Sequence, residues 1–197
     1  VYIIAGVAVT GLALLLLSRK KKSKHSVAKL KAQAKSDRQK WSGKKETDPS
    51  MSQTLIEYWK NLGSTYTPAQ MQSKSFQKER PWSSAYVTHL VQGGGYNFKG
   101  GYMHSTYADQ AKKDKASGTK DAFWSFRNSD GKKVEIGDIL IKNRSGGNYN
   151  YDTIRSGVIS HGDVIIDIFN ENGKITAIAQ GGNLSDSVDT VKITLSN

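Results

Sequence analysis

Residues 157–169 read GVISHGDVIIDIF, and the period of this run decides the fold class. Val164, Ile166 and Ile168 alternate with Ile165 and Asp167, so the spacing predicts a strand, with His161 and Asp163 on the second of its two faces. NENG at 170–173 is a hairpin turn signal, residues 174–180 return, and Val191, Ile193 and Leu195 alternate to the end of the chain. Upstream, VEIGDILIK at 134–142 reads as another strand, entered through the turn at Asp130-Gly131. The C-terminal part is therefore expected to be an antiparallel meander.

The preceding residues carry helical spacing instead. Leu55, Ile56, Trp59 and Leu62 line one face of a helix over 51–62 that stops at Gly63, and Thr67-Pro68 opens a second helix running toward Phe76. A third begins in ERPWSSAYVTHLV at 79–91, where Trp82, Tyr86, Val87, Leu90 and Val91 form a broad apolar face ended by Gly93, Gly94 and Gly95. A fourth, shorter helix is predicted over 105–113. Helices followed by a meander define an α+β domain over 51–197. Residues 114–133 and 143–156 are rich in Gly, Ser, Asn and Tyr and read as long connections, either bordering a site or forming plain surface loops.

The first fifty residues differ in composition. Residues 1–17, VYIIAGVAVTGLALLLL, are uncharged and RKKK follows at 19–22, an order opposite to that of a secretory signal. The pattern predicts a single-pass transmembrane helix at 1–18, meeting lipid through residues 1–24, with the rest of the chain on the positively charged side. Of the net charge of +12, residues 1–48 carry +9, so the basicity belongs to residues 19–50, read as a tether. It is either simply solvated or, over 19–45, holds anionic lipid headgroups or nucleic-acid phosphates without sequence preference. The remainder is nearly neutral.

There is no cysteine, which excludes disulfides, thiol nucleophiles and cysteine-based zinc sites. Four scattered histidines without HExxH spacing leave a metal site only by assembly in space, GGGYNFKGG lacks the ending of a phosphate loop, and no cofactor is expected. The residues that point to chemistry start from a serine. Ser83 falls in the first turn of a helix, where the macrodipole and free N–H groups favour developing negative charge. His161 supplies a base, and Asn183 in QGGN follows on the next strand as an orienting group. Each also has a plainer reading: a helix cap for Ser83, a buried hydrogen-bonded imidazole for His161, and a turn residue for Asn183.

In that order the residues resemble the papain-like cell-wall amidase and peptidase superfamily, the NlpC and CHAP group. PWSSAYVTHLV, MHSTY at 103–107, GDIL at 137–140, SHGDVII and QGGNLSDSV together are similar to a bacterial and phage family of uncharacterised domains with a PWS motif, over about residues 55–195. The resemblance implies helices packed on an antiparallel sheet and cleavage of amide bonds in peptidoglycan. Ser83 stands at the superfamily's cysteine, His161 at its histidine and Asn183 at its third polar residue. His104 and Asp163 are expected to line the cleft, either as substrate contacts or as structural hydrogen-bond partners, with Trp82 and Trp124 as further substrate contacts. A membrane-anchored hydrolase carried by a virion, meeting peptidoglycan and virion proteins, is the functional expectation. The alternative is a catalytically silent structural or binding protein of a virion membrane or envelope complex.

Overall fold

The computed structural model describes residues 3–4, 15–19, 24–144 and 146–196. The class is α+β, as expected: helices pack on an antiparallel sheet. In chain order the elements are β1 (Ile3–Ile4), β2 (Leu15–Arg19), α1 (Lys24–Trp41), α2 (Ser52–Lys60), α3 (Pro68–Gln72), α4 (Lys74–Glu79), α5 (Ser83–Gly93), α6 (His104–Ser117), β3 (Phe123–Arg127), β4 (Ile139–Asn143), β5 (Ser160–Glu171), β6 (Lys174–Leu184) and β7 (Ser187–Ser196). The strands lie in the order β1-β7-β6-β5-β4-β2-β3, each pair antiparallel.

The expected helix over 1–18 is not what residues 15–18 form. Leu15–Arg19 is an inner strand, paired with β3 on one side and β4 on the other. Leu15 and Leu17 enter the core beneath the helices, while Leu16 joins the cluster on the opposite face of the sheet. A strand covered on both faces is apolar at every position, so its sequence lacks the alternation that marks a half-buried strand. Residues 1–2 and 5–14 of the expected span lie outside the described residues. Among the described residues no helix is long and apolar enough to cross a membrane.

The expected tether is also revised. Residues 24–41 form α1, whose Leu30, Ala34, Asp37 and Trp41 are all buried at spacings of four, three and four. That stripe lies against α5, β5 and β7, and Lys29, Lys31, Lys35, Arg38 and Lys40 face outward. Trp41 stacks on Trp82 with ring centroids 4.8 Å apart and planes 9° from parallel. Over residues 29–40, the charge that suggested a linker is the solvated side of a helix built into the core.

Other boundaries shift for local reasons. The predicted second helix divides at Ser73, which ends α3 in an extended conformation and caps α4 by accepting a hydrogen bond from the Phe76 N–H. Strand β4 begins only at Ile139. Strand β3 lies within a stretch read as a loop, with Phe123 and Ser125 buried and Trp124 and Phe126 less so. In β5 a bulge between Ile165 and Asp167 breaks the alternation. As a result Ile168 packs with Ile165 on the far face, while Val164 and Ile166 serve the helix-side core.

Candidate functional site

Helix α5 begins at Ser83, with Trp82 as an N-cap whose side chain accepts no capping bond. The first helical hydrogen bond runs from the Tyr86 N–H to the Trp82 carbonyl, so the N–H groups of Ser83, Ser84 and Ala85 are not consumed by the helix. Neither serine closes the end. Ser84 Oγ donates to the Gly101 carbonyl at 2.6 Å, tying the segment before α6 to the start of α5. Ser83 Oγ lies 2.8 Å from His104 Nε2.

His104 is the first residue of α6, and Tyr107 follows three positions later on the same face. The Tyr107 hydroxyl bonds His104 Nδ1, so both ring nitrogens are engaged. Gly162 of β5 makes room for this pair. A Cβ there would stand 2.6 Å from both His104 Nδ1 and the Tyr107 hydroxyl, so glycine lets α6 approach the sheet. Burial drives the His104 pKa well below its usual value, reinforced by His161, Arg144 and Lys142 and opposed by Asp163. The ring is neutral. In the tautomer that carries its proton on Nδ1, that N–H donates to the Tyr107 hydroxyl and Nε2 is the acceptor for the Ser83 hydroxyl proton.

His161 occupies the layer behind. Its ring centroid is 5.1 Å from that of His104, and its Nε2 lies 2.9 Å from Asp163 Oδ1. Lys142, opposite His161 in the β4–β5 register, donates to Asp163 Oδ2 at 2.7 Å. Burial alone would raise the Asp163 pKa, but His161 and Lys142 outweigh it and hold the carboxyl well below the usual carboxylate range. A carboxylate with a depressed folded pKa stabilises the fold fully above its unfolded value of about 4 and loses that contribution as pH falls toward the folded value. Urea midpoints at pH 5 and pH 3 should therefore fall more steeply for the parent than for Asp163→Asn. Parallel falls would show that this carboxylate is not the acid-sensitive group.

Ser83 and His104 form part of the floor of a cleft of about 880 Å³, whose mouth includes Tyr102, Met103, Ile159 and Asn183. His161 and Asp163 are buried and do not line it. Ser83 thus pairs with His104, expected to line the cleft as a substrate contact or a structural hydrogen-bond partner, and not with His161. Asn183 reaches the cleft with φ of 58° at a bulge between β6 and β7. Trp82 is fully buried between Trp41, Tyr58 and Tyr86, and its indole N–H donates to Glu46 Oε2 at 2.6 Å. It serves the core. Trp124 lies on the edge strand β3, outside the cleft, and donates to the Thr119 carbonyl. Tyr107 and Lys142 escaped the sequence reading. The spacing of His104 and Tyr107 in MHSTY was the available signal for the first; the second requires strand register.

Among the described residues no cluster of three or more histidines or carboxylates could hold a metal ion. The site sets a hydroxyl against a buried imidazole at a helix start that lines an open cleft, an arrangement compatible with nucleophilic acyl chemistry. Over residues 23–197 the chain matches the family described as an uncharacterised protein conserved in bacteria (DUF2272), and it belongs to that family. The match begins at the threshold of α1, consistent with that helix being part of the domain. No curated protein and no solved structure matches the chain.

Proposed function

We propose that this protein is a serine-dependent amide hydrolase of papain-like type, acting on the peptide of peptidoglycan. The observation that carries the reading is the 2.8 Å contact between Ser83 Oγ and the neutral His104 Nε2 at the start of α5 and the floor of the cleft. Support for the papain-like assignment is the helix-borne nucleophile position packed against an antiparallel sheet that carries His161. The amide substrate is the expectation from the resemblance of the motifs.

In the proposed reaction Ser83 Oγ attacks the scissile carbonyl carbon as His104 Nε2 takes its proton. The oxyanion is met by N–H groups of the first turn of α5. Collapse breaks the C–N bond, and the proton on His104 passes to the departing amine. Water then enters, His104 takes its proton, and the acyl-serine is hydrolysed. The Tyr107 hydroxyl, bonded to Nδ1, holds the imidazole in place throughout.

A second reading follows from the burial of the nucleophile. Ser83 is 3% exposed, and its bond to His104 would serve equally as a buried structural contact in a binding protein. Digestion of purified sacculi by the full chain separates the two. Soluble stem-peptide or disaccharide-peptide products from the parent, absent with Ser83→Ala, support the hydrolase. No release by the parent favours the binding protein.

A further inference from the structure

Among the described residues, three of the four large apolar side chains that remain exposed, Tyr102, Met103 and Ile159, meet at the mouth of the cleft that holds Ser83 and His104. They are held in place. The Tyr102 hydroxyl bonds Ser64 Oγ at 2.7 Å and its ring lies 6.0 Å from that of Trp59, while the preceding residue is tied to Ser84. Ile159, immediately before β5, lines the same cleft. Exposed apolar surface gathered on a fixed frame beside a reactive group is unfavourable in water and is repaid when a ligand covers it.

Arg144 shares that mouth. It follows β4 directly, and the turn that carries it is pinned: Asn143 Nδ2 donates to the Tyr149 carbonyl at 3.0 Å, the Gly147 N–H donates to the Arg144 carbonyl at 3.0 Å, and the Tyr149 hydroxyl donates to the Lys142 carbonyl at 2.8 Å. A Cβ at Gly147 would stand 2.8 Å from the Ile159 carbonyl, so glycine brings the Arg144 turn against the Ile159 wall. The guanidinium is exposed and forms no ion pair among the described residues. Its charge is nevertheless felt at His104. A free guanidinium on an anchored turn suits a carboxylate, which it can hold through two parallel hydrogen bonds. The carboxylates that share the cleft do not fill this role: Glu46 accepts from Trp82, and neither Glu79 nor Asp186 forms an ion pair with Arg144.

We infer that the cleft selects a peptide substrate carrying a free carboxylate held by Arg144, next to an apolar side chain seated among Tyr102, Met103 and Ile159. The inference rests on the proposed hydrolase reading for the substrate's being a peptide, and its test is a binding measurement that needs no turnover. The full chain with Ser83→Ala is titrated with acetyl-Leu-Ala as the free acid and as the carboxamide, followed by calorimetry. The acid should bind about tenfold more tightly, the share of a charge-assisted hydrogen bond to an exposed arginine. Adding Arg144→Gln should bring the acid down to the level of the carboxamide, and adding Tyr102→Ala should weaken both alike. A urea midpoint unchanged by Arg144→Gln confirms that the fold is retained.

Equal affinities for acid and carboxamide, no saturable binding of either, or an acid preference that survives Arg144→Gln overturns the inference. Failure of the hydrolase reading looks different: the parent digests nothing while the carboxylate preference stands. Turnover without the preference removes the Arg144 subsite alone.

Discussion

If the proposed hydrolase reading holds, His104→Ala should lower kcat/KM for amide hydrolysis by about 10² to 10⁴, the usual range for losing a positioned general base, whereas His161→Ala should cost only about tenfold. The difference follows from placement. His104 Nε2 touches Ser83 Oγ at the cleft floor, while His161 is buried and its Nε2 is committed to Asp163. His161 would thus act on the reaction only indirectly, through the packing behind His104 and its electrostatic effect on that ring. The pH profile gives an independent readout. Because burial and nearby positive charge hold the His104 pKa well below its usual value, the base stays unprotonated on acidification. The acid limb of kcat/KM should therefore fall below pH 6.5, the ordinary histidine value. Tyr107→Phe removes the hydroxyl that orients the ring and should lower kcat with little change in KM. A larger loss in His161→Ala than in His104→Ala would return the base to the strand.

The alternative assignment of the base shows where sequence reading stopped. Residues near in sequence or on one strand were legible: the helix start at Ser83, the strand carrying His161 and Asp163, and the hairpin after it. The choice between two imidazoles depends on how closely α6 approaches β5, and that is set by the missing side chain at Gly162. The glycine was visible, but its partner across the fold was not. Strand β2 was hidden for a different reason. Leu15, Leu16 and Leu17 are each buried, on alternating faces, and no periodicity separates such a run from part of a membrane helix. Helix α1 was partly legible. Val27, Leu30 and Ala34 hinted at its stripe, yet basic residues outnumbered them, because a helix against a core need bury only one side. Strand β3 is the omission that alternation could have corrected, since Phe123 and Ser125 face inward with period two.

Trp82→Ala should cost about 3–5 kcal/mol, the range for deleting a buried aromatic side chain, which is a large fraction of the 5–15 kcal/mol that holds a typical domain together. The indole is fully buried, stacks on Trp41 at 4.8 Å, and meets Tyr58 and Tyr86 with centroids 6.1 Å and 6.3 Å away. Truncation opens a cavity where α1, α2 and α5 converge. Urea unfolding measures the loss through the midpoint, with an unchanged slope showing that the same surface is exposed on unfolding. Trp82→Phe separates the two contributions of the indole. It retains much of the stack but gives up the N–H donated to Glu46, so its cost should be smaller, with the hydrogen-bond part about 0.5–1.5 kcal/mol. The next residue is Ser83, so a collapsed cavity in Trp82→Ala would also move the start of α5 relative to His104. Activity should then fall more in Trp82→Ala than in Trp82→Phe at temperatures where both remain folded. A destabilisation below about 1 kcal/mol in Trp82→Ala would mean that the aromatic layer does not anchor this helix start.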